Sequence, residues 1–204
     1  MKSLNYYITE KLKIRKYNHN YFPETKTQLK TIILKRIQEE GNNVDLNDID
    51  TSKITDMSAL FYSKYLKDFC GDISEWNVSN VTNMNHTFSE CTHFNCDLSK
   101  WNVSKVTNMC STFYGCSEFE GKGLDTWDVS QVENMEGMFG YCQKLKGYEL
   151  ENWNIQKVKS TIDMFYDCKE LCCNLDNWKP SSVKEWIDMF EYCDKLTLPK
   201  WYKK

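Results

Sequence analysis

The chain has no run of about 18 apolar residues, the length a helix needs to cross a bilayer, so no membrane-spanning helix is expected. Its opening, MKSLNYYITEKLKIRK, lacks the uninterrupted apolar stretch and small-residue cleavage site of a secretory signal, and no lipid-attachment cysteine follows it. Export by either route is not expected. Imidazoles are scarce: His19, His86 and His93 are the only three, and each reads as an ordinary loop or surface residue rather than a base. No phosphate-binding loop, nucleophile elbow or zinc-protease helix motif occurs, and no single-copy polar set interrupts the pattern as an active site would. Enzymatic activity and a bound cofactor are therefore not expected. Excess positive charge is missing too: the net charge of -3 argues against nucleic-acid binding by the molecule as a whole.

What the chain does have is repetition. Trp76, Trp101, Trp127, Trp153 and Trp178 recur at intervals of 25, 26, 26 and 25 residues, the first four opening the phrase W-[ND]-[VI]. A unit this short cannot bury its own apolar face, so neighbouring copies must stack and share one core. The third copy is the clearest: Trp101, Asn102, Val103, Ser104, Lys105, Val106, Thr107, Asn108 and Met109, then Phe113, Cys116, Phe119 and Leu124. Val106, Met109, Phe113 and Cys116 are spaced 3, 4 and 3, which predicts one face of a short helix capped by Ser104 or Thr107. In the second copy, Phe94-Asn95-Cys96-Asp97-Leu98 alternates with the period of a strand. The expected fold is an α/β solenoid, a stack of about six turns with one short strand and one short helix per 25–26 residue repeat.

Alignment of the copies assigns the slots. Phe88, Phe113, Phe139, Phe165 and Phe190 share one, and Cys91, Cys116, Cys142, Cys168 and Cys193 share another, three residues later each time. With the five tryptophans they form the expected structural core, the cysteines as a ladder of small buried thiols. Zinc is disfavoured because the short paired-cysteine spacing is absent. A degenerate first copy places Ile49 in the tryptophan slot, and Leu198 and Trp201 begin a further turn early, before the basic tail. This divides the chain into a helical leader and N-terminal cap at 1–44, the repeat array at 45–198, and a C-terminal cap and tail at 199–204. Residues 3–14 and 26–40 read as helices, the second on the stripe Leu29, Ile32, Ile33, Ile37 and ending at Gly41. Residues 1–40 hold nine Lys/Arg against four Asp/Glu, net +5, and residues 41–204 hold 17 against 25, net -8.

Binding information should lie where copies differ at exposed positions. Asn77, Asn102, Asp128 and Asn154 after each Trp, with Ser79, Ser104, Ser130 and Ser181, are regular enough to serve backbone capping. The run Asn42, Asn43, Asp45, Asn47, Asp48, Asp50 lacks the glycine and terminal Glu of a calcium loop and is assigned to turn chemistry. Lys100, Lys105, Gln131 and Lys157 vary between copies and are candidates for partner contact. Tyr114, Tyr141, Tyr166 and Tyr192, with Tyr62, gather just past the Phe slot; they either form a recognition stripe or cover helix ends.

The phrase from Asp97 to Met109, followed by Phe113 and Cys116, resembles the short repeat of bacterial surface proteins, the mycoplasma-type lipoproteins and BspA-like leucine-rich-repeat surface proteins, over roughly residues 45–198. That resemblance implies a leucine-rich-repeat-like stack used in adhesion or protein recognition, with no catalytic residues. The opening MKSLNYYITEKLKI is similar to a short N-terminal stretch of proteins encoded by phages of gut bacteria, which implies a packaging or docking tag. The function expected is thus non-enzymatic recognition of a protein or glycan partner, in the bacterial cytoplasm or a phage virion; the alternative is a self-assembling structural component.

Overall fold

The computed structural model describes residues 19–184 and 186–203. The helix expected at 3–14 and the tag-like stretch lie outside them. Helix α1 spans Lys26–Glu40, and Thr25 caps it by accepting a bond from the Gln28 N–H. Its stripe buries Leu29 and Ile33 completely, with Ile32 and Ile37 packed at the margin. The helix ends at Gly41, whose φ of 92° and ψ of 175° are open to glycine. Beside that stripe, Lys26 reaches Asp56 and Ser58, both at 2.7 Å, and Lys30 reaches the Ala59 carbonyl at 2.7 Å. These bonds tie α1 to the first repeat. Arg36, nearly buried, joins Glu40, Asp48 and the Asp45 carbonyl over the face of Tyr21. Its guanidinium pKa is raised, chiefly by the Glu40 hydrogen bond.

The repeats overturn the strand-and-helix expectation, and with it the leucine-rich-repeat-like α/β solenoid. Among the described residues, helical structure consists of α1 and two single 3-10 turns, Leu124–Thr126 and Tyr148–Leu150. Strand pairing is reduced to isolated parallel bridges, as in the series Asp56, Asn83, Asn108, Asn134, Ser160. The 3-4-3 spacing comes from turns instead. In the third copy, i→i+3 bonds close from Val106 to Val103, Thr112 to Met109, Cys116 to Phe113 and Phe119 to Cys116, at 2.8 to 3.2 Å. Val106, Met109, Phe113 and Cys116 each open or close one of these turns, and all four are fully buried.

The N–H groups a helix would satisfy internally point along the stack. Met109, Ser111, Phe113 and Gly115 donate to the carbonyls of Asn134, Glu136, Met138 and Gly140, one repeat on, at 2.7 to 2.9 Å. Two residues in the left-handed region, Ser111 (φ 51°) and Gly115 (φ 74°), aim alternate amides this way. The same two slots hold His86 and Glu90, Gly137 and Tyr141, Asp163 and Asp167, and Asp188 and Tyr192, all with positive φ. The Phe94–Leu98 alternation does bury Phe94 and Leu98. No strand forms there, because turns at either side redirect the chain and leave one main-chain bond between repeats, Leu98 N–H to the Lys122 carbonyl at 3.1 Å.

Side chains complete the ladder. A turn carbonyl has a second lone pair, and at recurring slots a donor from the next copy fills it. The indole N–H groups of Trp76, Trp101, Trp127, Trp153, Trp178 and Trp201 reach the carbonyls of Leu46, Ile73, Leu98, Leu124, Leu150 and Leu175, at 2.7 to 3.3 Å. The thiols of Cys116, Cys142, Cys168 and Cys193 reach those of Phe88, Phe113, Phe139 and Phe165, at 2.9 to 3.1 Å. Aromatic rings stack along the same axis. Consecutive Phe rings from Phe88 to Phe190 lie 5.6 to 5.7 Å apart and within 12° of parallel. Trp101 and Trp127 lie 6.4 Å apart at 4°.

Candidate recognition face

The regular polar slots serve the backbone. Asn77, Asn102 and Asp128 each accept from the main-chain N–H two residues on, that of Ser79, Ser104 and Ser130, at 3.0 to 3.1 Å, and Asn154 does the same for Gln156 at 3.2 Å. Thr107 caps no helix; its hydroxyl donates to the Thr82 carbonyl one repeat earlier, at 3.2 Å. In the acidic run after α1, Asp45 and Asp50 accept from Asn47 and Ser52, while Asp48 is held by Arg36. His86 lies under Tyr62, with ring centroids 5.6 Å apart, and exposed His93 lies 3.7 Å from Asp68.

All four variable candidates turn out to be parts of rungs between copies. Lys105 bonds Asn80 at 2.8 Å, and Lys157 bonds Gln131 at 2.6 Å. Lys100 pairs with Glu75 in the same fashion, making Gln131 an acceptor in one rung and the lysines donors in three. Lys122 with Asp97, Lys159 with Glu133 and Lys195 with Glu170 repeat the arrangement at other slots, at 2.6 to 2.9 Å. Such exposed pairs are worth roughly 0–1 kcal/mol each, so their net effect is to keep copies in register rather than to hold the stack together.

The tyrosines do come together. Tyr114, Tyr141, Tyr166 and Tyr192 form one continuous row with centroid spacings of 5.2, 5.3 and 5.3 Å. They come alternately from the first and second positions after the Phe, so their rings meet at 73°, 54° and 84° and interlock instead of stacking flat. Tyr141 and Tyr192 are exposed, and Tyr114 and Tyr166 half-buried. A Cβ at Gly140 would come within 3.0 Å of the Tyr114 ring, so glycine is what lets that ring lie on the backbone of the next copy. Beside the row is a hollow of about 200 Å³ lined by Tyr114, Tyr141, Tyr166, Asp163 and Asp188. Burial pushes the Tyr114 and Tyr166 hydroxyls up, as it does the Asp163 carboxyl, to which the Asp188 charge adds. Sequence reading passed over both aspartates. The available signal was that this slot holds Ala59, His86, Ser111 and Gly137 in earlier copies and turns acidic in the last two.

A larger open groove, about 820 Å³, is lined by Glu120, Lys122, Asp125, Lys144, Tyr148 and Glu170 among others. Much of its charge is already matched within the chain, Lys122 by Asp97 and Lys144 by Glu118, and Glu170 by Lys195. All ten cysteines are free thiols. Among the described residues no group of three or more His, Cys, Asp or Glu is arranged to hold a metal ion, and no helix is long and apolar enough to cross a membrane.

A tandem-repeat protein is what these observations define: one backbone scheme copied every 25 or 26 residues. The chain belongs to the family described as Mycoplasma protein of unknown function, DUF285, which matches residues 28–122 and again 110–202. Neither a curated protein nor a solved structure matches it.

Proposed function

We propose that this chain is a non-enzymatic recognition module that presents the row Tyr114, Tyr141, Tyr166, Tyr192 to a protein partner. The continuity of that row carries the reading. Tyrosine offers large contact area with few rotatable bonds, and four of them fixed edge to face on a rigid stack bring a preorganised surface to a partner. The ring angles favour protein over glycan, because interlocked edges leave no flat platform for a sugar face. Placement among BspA-like surface repeats and encoding by a phage belong to the same reading, and rest on the sequence resemblances alone.

Affinity capture from the native host, with the intact chain as bait, tests it. Tyr141→Ala and Tyr166→Ala should each lose most of a partner retained by the parent chain and by Lys105→Ala. Capture that persists in both tyrosine variants removes the row from the interface. A mass in solution that grows with protein concentration, and falls back in the tyrosine variants, would assign the row to self-assembly instead.

A further inference from the structure

Along the tyrosine row, one site already contains its own cation. The Lys169 ammonium stands 5.3 Å from the Tyr192 ring centroid and 2.6 Å from Asp167, with Asp194 at 3.8 Å. The adjoining hollow repeats those ingredients without the cation: three tyrosine rings, and the carboxylates of Asp163 and Asp188 from successive copies. Among the described residues neither aspartate forms an ion pair, and neither carboxylate accepts a hydrogen bond. Elsewhere on the stack an acidic side chain regularly meets a lysine from the neighbouring copy, as Asp97, Glu133 and Glu170 do. At Asp163 the only charge acting on the carboxyl is the like charge of Asp188. Two carboxylates stacked at the edge of an aromatic hollow raise each other's energy, and a cation placed between them relieves that while facing the electron-rich rings.

We propose that the hollow bounded by Tyr114, Tyr141, Tyr166, Asp163 and Asp188 binds the cationic head of an arginine or lysine side chain on a partner polypeptide. Its volume of about 200 Å³ suits one such head with its first methylenes, too little for a folded surface. Arginine fits better than lysine, because a planar guanidinium can lie on a ring while its edge donates to both carboxylates. This inference rests on the recognition reading and adds the chemical class of the anchoring group.

Titrating the full chain, labelled in its tyrosine rings, with the peptide acetyl-Gly-Arg-Gly-amide tests it by NMR. Saturable shifts are expected at Tyr114, Tyr141 and Tyr166, with the citrulline analogue, same shape and no charge, binding about tenfold more weakly. The double variant Asp163→Asn, Asp188→Asn should lose a similar factor with its tryptophan fluorescence unchanged. Should that variant fail to fold, each single Asn variant is expected to lose about threefold. Equal binding of the citrulline peptide, or undiminished binding by the Asn variants, overturns the proposal; so does tighter binding of free spermidine than of the arginine peptide, which would make the ligand a polyamine. If Tyr141→Ala abolishes partner capture while the double Asn variant captures normally, the recognition face stands and the cation assignment falls. If neither variant changes capture, both fall.

Discussion

The thiol of Cys142 donates to the main-chain carbonyl of Phe113 at 3.1 Å, one repeat earlier, and that carbonyl also accepts the Cys116 N–H at 2.9 Å. Cysteine at this slot is therefore a donor as well as a small apolar filler. Cys142→Ala keeps most of the packing but leaves a buried carbonyl with half its partners, and should cost about 1–3 kcal/mol in urea unfolding. Cys142→Ser, which retains a donor, should cost less than Cys142→Ala. The reverse order would mean that volume alone selects cysteine there.

Stability should fall in alkali more steeply than for a chain with exposed thiols. Burial pushes Cys91 up to about 12, Cys193 up to about 11, and Cys116, Cys142 and Cys168 well above the usual thiol range. An unfolded thiol ionises near pH 8.5, so the folded chain binds more protons above that point. The contribution of each thiol is whole below about pH 8.5 and is lost as pH rises toward its folded value, by about 1.4 kcal/mol per pH unit. Urea midpoints measured from pH 8 to 10.5 should decline, and Cys142→Ala should flatten the decline by the share of one thiol. Parallel declines in the two proteins would show that Cys142 ionises as readily folded as unfolded.

Phe113→Ala empties the middle of the ring stack, where Phe113 touches Phe88, Phe119 and Phe139 at centroid distances of 4.3 to 5.7 Å. The expected loss is about 3–5 kcal/mol. Since each copy rests only on its neighbours, hydrogen exchange should rise first in the amides of the copies on either side. Protection lost evenly from α1 to Trp201 would instead show that the stack unfolds as one unit.

Much of the register was legible before the structure. The tryptophan interval, the Phe and Cys slots and the stripe of α1 follow from apolar spacing, and that spacing reports which positions are buried whatever backbone carries them. Trp201 shows the reach of that logic: displaced from the even interval, it still takes up the indole bond to the preceding copy. The Tyr row was legible only in outline. Its members sit at two different offsets from the Phe, and their interlocking depends on which copy each ring leans toward.

The sequence by itself determined the period and the buried set, because removing apolar surface from water depends on residue type and spacing. Only the tertiary structure decided between helix and turn. A 3-4-3 pattern is compatible with N–H groups bonded four residues back or one repeat ahead, and local spacing carries no information on a partner 25 residues away. The same holds for Asp163 and Asp188. Each is an unremarkable aspartate in its own copy, and the stacking of copies is what brings the two carboxylates together beside the tyrosine rings.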